Sequence, residues 1–95
     1  MTNQSMRAYI LQRANELTHG DRNDQHGDPL PNHYNIAQIW SVILQREVTP
    51  KEVALCMAGL KLARLASNPD NFDSYVDGAA YIAIAGELYL EPEEI

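Results

Sequence analysis

The 95-residue chain is short of the residues that mark disulfide-rich and membrane-spanning proteins. Its single cysteine, Cys56, cannot form a disulfide within the chain, so we expect a reducing compartment such as the cytoplasm. Cys56 lies in an apolar run, where we expect it to be a small core residue. We see no signal peptide and no apolar run long enough to cross a bilayer, so no membrane partner is expected.

Basic residues are also scarce. Seven Lys and Arg residues stand against 13 Asp and Glu, which gives a formal net charge of −6 and a pI of about 4.8. Binding to a nucleic-acid backbone is therefore not expected, because counterion release needs clustered Lys and Arg. A small basic pocket is still compatible with this balance. The hydrophobic fraction of 45% suffices for one modest core, so we expect a single domain over residues 1–95.

The sequence does show helical periodicity, and no segment has the alternating apolar pattern of a β-strand. The spacing predicts four helices, at about residues 3–18, 31–46, 50–67 and 72–90. Thr49, Pro50 and Glu52 form a strong helix start, and Asn68-Pro69 is a stop signal. Short connections favour antiparallel neighbours, so the predicted fold is all-α, a four-helix antiparallel bundle.

The third and fourth helices are apolar on nearly every side, as in VALCMAGLKLARLA at 53–66 and GAAYIAIAG at 78–86. Such helices need cover on every side, and four short helices barely supply it. We therefore expect a homo-oligomer, a dimer or higher, whose interface uses the third or fourth helix. In the second helix we expect an inner stripe with Asn32 at its N-terminal end, made of Ile36, Ile39, Trp40, Ile43 and Leu44.

Four ionic residues interrupt this apolar pair of helices: Lys61, Arg64, Asp73 and Asp77. The two cations are three apart and the two carboxylates four apart, so each pair shares a helix face. An antiparallel hairpin would bring all four to one end of the bundle. Two readings stay open. The four residues form a structural ion-pair cluster, which the helix dipoles favour. Alternatively, they line a pocket in which the carboxylates hold Mg²⁺ and the cations hold phosphate.

The one long loop, at residues 20–30, is rich in Gly, Pro, Asn and Asp, and long loops in compact domains are often functional. It contains Asp21, Arg22 and His26. If the helices alternate in direction, this loop and Asn32 lie at the same end as the ionic cluster and form one pocket with it.

Two further features have competing readings. Three histidines, at positions 19, 26 and 33, are spaced by seven, but this spacing matches no standard zinc pattern, so zinc is the weaker reading. Tyr81 continues the Asp73–Asp77 face; it could stack on a base, but we expect it to pack in the core.

Four motifs then follow one another along about residues 7–88. They read D-R-x-x-x-(aromatic)-G-x-P-x-x-N at 21–32, I-A-x-[IL]-W at 36–40, V-A-L-x-M-x-x-L-K-x-A-R-L at 53–65 and N-P-x-x-x-D-S-x-x-D at 68–77, with His26 at the aromatic position. This combination resembles a family of small phage and prophage proteins with no assigned activity. That family is distantly similar to the phage nucleotide-modification-associated domain and to all-α MazG-like nucleotide pyrophosphohydrolases.

The resemblance implies an α-bundle, often oligomeric, that binds a nucleotide with Mg²⁺. MazG-like enzymes carry E-x-x-E and a later E-x-x-D, whereas here Glu16 stands alone and Asp73 and Asp77 are spaced D-x-x-x-D. The resemblance therefore supports nucleotide binding more strongly than pyrophosphate hydrolysis. In this hypothesis Mg²⁺ is held by Asp73 and Asp77, with Asp21. The nucleotide and its phosphates are bound by Arg22, His26, Asn32, Lys61 and Arg64.

The alternative from another class is a non-enzymatic phage protein that binds a host factor or sequesters a nucleotide signal. An acidic, compact protein fits this reading equally well. Turnover of nucleoside triphosphates with Mg²⁺ separates the two hypotheses.

Overall fold

The computed structural model describes residues 5–19 and 28–90, which fold as four helices. They are α1 (Met6–Thr18), α2 (Pro29–Leu44), α3 (Pro50–Ser67) and α4 (Phe72–Leu90). No strand occurs in these two segments, and the all-α fold class is confirmed. Among the helices described, none combines the length and the apolar character that crossing a membrane requires.

The ends of α3 follow local signals in the sequence. At its start, the Glu52 N–H donates to Thr49 Oγ1 (3.2 Å) and the Thr49 N–H donates to Glu52 Oε1 (2.9 Å), which completes a capping box before Pro50. At its end, the Asn68 N–H donates to the carbonyl of Arg64 (2.8 Å), and Pro69 follows. The observed bounds are those that the sequence predicts.

The bounds of α2 differ from the predicted 31–46. The helix begins at Pro29 because Asp28 caps it, its carboxylate accepting the Leu30 N–H at 3.0 Å. It ends at Leu44 because Gln45 takes the left-handed conformation (φ 56°).

In α1, Ser5 Oγ accepts the Ala8 N–H at 3.2 Å and caps a helix from Met6. The predicted start at residue 3 lies outside the described residues.

Helix α4 is central. It forms an antiparallel hairpin with α3 across residues 68–71, and α1 packs along it. The Tyr9 ring stacks on Phe72 at 5.9 Å, and Ala14 packs further along α4, against Val76 and Ala80. These contacts advance in the same sense on both helices. Helix α1 therefore begins near the α3–α4 turn and runs away from it.

The direction of α1 matters for the predicted single pocket, because that prediction assumed that α1 ends beside the α3–α4 turn. The C-terminal end of α1 points away from that turn. The other flank of the loop, Leu30, packs against a cluster containing Ala54 and Leu88, at the opposite end of the hairpin. Residues 20–27, with Asp21, Arg22 and His26, lie outside the described residues, so their place in the pocket stays a prediction.

The buried side chains are mostly small. Beyond Ile84 and Leu88, the buried apolar residues of the described segments are alanines and valines: Ala14, Ala37, Val48, Val53, Ala54, Ala58, Val76, Ala80 and Ala85. All of them except Ala58 fall into three separate clusters. Cys56 is exposed, which corrects the core prediction. The buried face of α3 is formed by its neighbours Val53, Ala54 and Ala58, and Cys56 points elsewhere.

The predicted inner stripe of α2 is wrong in part. Ile36 and Trp40 are half-buried against Ala37, Val48 and Val53, but the rest of the stripe is exposed: Ile39, Ile43 and Leu44. The buried residues of α2 are His33 and Ala37. The helix packs on the start of α3 through this narrow face, and the described elements leave the isoleucine side uncovered.

Candidate functional site

The ionic cluster contains one close ion pair, which joins α3 to α4. Lys61 Nζ lies 3.2 Å from Asp77 Oδ2. The lysine side chain is 13% exposed and the carboxylate side chain 30%, so water screens this pair less than a surface pair. The two helices lie close together here, since a Cβ on Gly78 would be in ordinary van der Waals contact with Lys61 Cβ, at 3.6 Å. The predicted approach of cation and carboxylate therefore occurs for these two residues.

Arg64 and Asp73 do not take part in that contact. Both are exposed, Arg64 in the last turn of α3 and Asp73 in the first turn of α4. Along residues 5–19 and 28–90 the cluster shows no second ion pair. The arginine is free to meet a ligand, and the first-turn carboxylate complements the dipole of α4.

His33 is a buried polar residue that the sequence analysis did not place in the site. Its Nδ1 lies 2.7 Å from the carbonyl oxygen of Pro29, and the side chain is almost fully covered. A carbonyl oxygen only accepts, so Nδ1 carries the proton and Nε2 is left as an acceptor. No described group donates to this buried nitrogen. An unsatisfied buried acceptor costs about 1–3 kcal/mol, so this nitrogen is a candidate to accept a hydrogen bond from a water or a ligand.

Tyr81 connects this histidine to the ion pair. The rings of His33 and Tyr81 have centroids 6.0 Å apart, tilted by 59°. Tyr81 also packs on the Ala54, Ile84, Ala85 and Leu88 cluster, as the core reading predicts. It follows Asp77 by one turn of α4 on the same face. We call this series of four residues, His33, Tyr81, Asp77 and Lys61, the His33–Lys61 strip. Asn32, half-buried, adjoins it in sequence.

A second feature is an apolar groove of about 480 Å³ between α1, α3 and α4. We call it the α1/α3/α4 groove. Its lining is Leu11, Ala58, Leu62, Leu65, Ser74, Tyr75, Gly78, Ala79, Ile82 and Ala83. The Tyr75 hydroxyl donates to the carbonyl of Pro69 at 2.9 Å, which holds that ring at the turn end of the hairpin. The surplus of apolar residues on α3 and α4 indicated exposed surface, but the concave shape depends on where α1 lies.

Comparison with known proteins places this fold in a family. The family model described as "Domain of unknown function (DUF6378)" matches residues 9–89. The chain belongs to this family. The resemblance to a small phage protein family with no assigned activity is thus confirmed, and the further similarity to MazG-like enzymes stays a prediction.

The curated relatives of this DUF6378 member are phage proteins. The Gene 55 protein of Mycobacterium phage D29 is 36% identical over 85 residues, covering 90% of this chain and 56% of the relative. The Gene 55 protein of Mycobacterium phage L5 is 36% identical over 86 residues, covering 90% and 55%. The chain thus spans about half the length of these relatives. No solved structure matches the chain.

The predicted nucleotide chemistry also involves a magnesium ion. Mg²⁺ requires several oxygen ligands. Asp77 already contacts the ammonium of Lys61, which would repel a metal ion at the same carboxylate. Within residues 5–19 and 28–90 no three His, Cys, Asp or Glu residues are grouped to hold a metal. Asp73 and Asp77 are thus not joined by a third such ligand among the described residues. Mg²⁺ binding with Asp21 therefore stays a prediction.

Proposed function

We propose that this DUF6378 protein binds a nucleotide or nucleotide-like small molecule at the His33–Lys61 strip, and that it acts by binding rather than by turnover. The observation that carries the proposal is the buried, unpaired Nε2 of His33. A buried acceptor of this kind is satisfied when a ligand supplies a donor. Nucleobases present such donors on their ring and exocyclic amino groups.

The neighbours of His33 suit the rest of a nucleotide. The Tyr81 ring offers an aromatic face on which a base can stack, an interaction worth about 1–3 kcal/mol per base. Lys61 and the exposed Arg64 supply cations for phosphate oxygens. Because Nε2 has no contact with solvent, a ligand reaches it only when a covering group moves, so binding is coupled to a local rearrangement.

Binding without turnover is the simpler outcome because it needs no metal ion. Phosphate binding to Lys61 is the first step, and because the ammonium has three donors it can contact a phosphate and Asp77 together. Sequestration of a nucleotide needs the first step alone. Pyrophosphate hydrolysis needs Mg²⁺ as well, with further ligands such as Asp73 or Asp21. Hydrolysis is therefore the second candidate, and Mg²⁺ dependence distinguishes it.

The test is a thermal-shift screen with ATP, GTP, dTTP, pyrophosphate and inorganic phosphate, each with and without MgCl₂. A nucleotide at 100 times its Kd stabilises the fold by about 2.7 kcal/mol. For a domain of this size that shift raises Tm by roughly 10 °C or more. We expect the rise with at least one nucleotide, and we expect His33→Phe and Lys61→Met to lose it.

Arg46→Ala is the matched control, because Arg46 is an exposed cation whose 3.7 Å contact is with Glu52. It should keep the full shift. The proposal is wrong if none of the nucleotides raises Tm, or if both strip variants retain the rise. Chromatography of the nucleotide after incubation with MgCl₂ then decides between sequestration and hydrolysis.

A further inference from the structure

The chain has an unusual distribution of side-chain size. Small residues fill its interior, and many large apolar residues face outward. The exposed large apolar side chains are Met6, Tyr9, Leu11, Tyr34, Ile39, Val42, Ile43, Leu44, Leu55, Leu60, Leu62, Phe72, Tyr75, Ile82, Tyr89 and Leu90. Single exposed apolar residues are ordinary, whereas a contiguous apolar patch marks an interaction surface, and the α1/α3/α4 groove brings together Leu11, Leu62, Tyr75 and Ile82 of this set.

The accessible area of the whole chain, which includes the residues outside the described segments, can be compared with that of a compact monomer. The chain exposes 6736 Å². A compact monomer of 10.7 kDa is expected to expose about 5,500 Å², so the surplus is about 1,200 Å². A stable protein interface buries about 800 Å² on each partner.

From this we infer that the α1/α3/α4 groove is the interface between two copies of this chain, related by a two-fold axis. Three helices contribute to the groove, and none of the described residues that line it is charged. Two copies that each carry a net charge of −6 can therefore meet there without burying like charges. Leu62 on α3 and Ile82 on α4 are 64% and 54% exposed, and these are the side chains that a second copy would cover.

The exposed side of α2 is the other apolar surface, formed by Ile39, Val42, Ile43 and Leu44. Pairing the groove of one copy with α2 of the next would be head-to-tail, which leads to rings or open chains. Pairing groove with groove uses one patch twice and closes at two copies. The inference does not depend on the proposed ligand site, because neither Lys61 nor Asp77 lines the groove.

The experiment is sedimentation velocity of the full chain over the micromolar range, with three lysine variants at exposed positions. The wild type should sediment at twice 10.7 kDa. Leu62→Lys and Ile82→Lys should be monomers. Ile43→Lys is the matched control, since Ile43 is 69% exposed on α2 and should leave the dimer intact. Circular dichroism confirms that each variant is helical.

Three results overturn the inference. A wild type that stays monomeric at high micromolar concentration removes the second copy and leaves the groove to another partner, such as a host protein. A dimer that survives Leu62→Lys and Ile82→Lys but dissociates with Ile43→Lys moves the interface to α2. Assemblies larger than two copies indicate head-to-tail pairing.

Discussion

The Nδ1 of His33 lies 2.7 Å from the carbonyl oxygen of Pro29, one turn earlier in α2. This contact fixes the tautomer of the ring, because the carbonyl can only accept. In the neutral ring the other nitrogen, Nε2, is then a buried acceptor, and the ring centroid lies 6.0 Å from that of Tyr81. A local contact at the start of one helix thus determines what kind of group the strip can recognise.

We expect His33→Phe to change the stability of the ligand-free protein by about 1 kcal/mol or less. The phenyl ring keeps most of the buried volume and removes the unsatisfied nitrogen, which offsets the lost Nδ1 hydrogen bond, itself worth about 0.5–1.5 kcal/mol. Urea unfolding measures the difference. A loss near 3 kcal/mol would mean that Nε2 already has a partner within the chain, and the ligand argument would lose its support.

Loss of the Lys61–Asp77 ion pair should destabilise the fold more than loss of Arg64. Asp77→Asn leaves the half-buried ammonium of Lys61 without its counter-ion, and we expect a loss of about 1–3 kcal/mol, between the surface and fully buried cases. Arg64→Ala removes an exposed side chain and should stay within about 0.5 kcal/mol. A double-mutant cycle with Lys61→Met and Asp77→Asn should give a coupling energy of about 1 kcal/mol. A coupling near zero would contradict the ion pair.

The cap of α3 should make stability depend on pH. The pKa of Glu52 lies below its ordinary value of 4.5, first because its carboxylate accepts the Thr49 backbone N–H and further because Arg46 is near. The ionised form therefore stabilises the fold, a contribution present above pH 4.5 and lost as pH falls through the lowered pKa. Glu52→Gln should lack this loss, so the stability gap between wild type and variant should narrow from about pH 6 to about pH 3. A gap that is constant with pH would rule out this role of the cap.

Interactions between residues close in sequence explain why the ends of α3 could be predicted from the sequence. The capping box at Thr49 and Glu52 and the stop at Asn68-Pro69 act within a few residues, so the bounds of α3 are readable from the sequence. The start of α2 was misplaced because both Pro29 and Pro31 suit the first turn, and the choice depends on the Asp28 cap.

Burial depends instead on which elements the fold brings together. Ile39 and Ile43 fall on a regular apolar stripe of α2, yet the neighbouring helices cover the His33 and Ala37 side. The same holds for the candidate site. Helical spacing and the hairpin suffice to bring Lys61 to Asp77, but nothing local to His33 distinguishes a buried histidine from a solvated one. Its role depends on the packing of α2 near Tyr81.

The most direct test of the account is the nitrogen chemistry of His33 itself. A long-range ¹H–¹⁵N correlation spectrum of the wild type, with His33→Phe for assignment, reports which ring nitrogen carries the proton. We predict that Nδ1 carries the proton and that Nε2 carries none in the free protein. We also predict a shift of the Nε2 resonance when ATP or GTP is added, while the exposed His19 stays unchanged. An Nε2 that is already protonated, or one that no nucleotide moves at saturating concentration, would contradict the account.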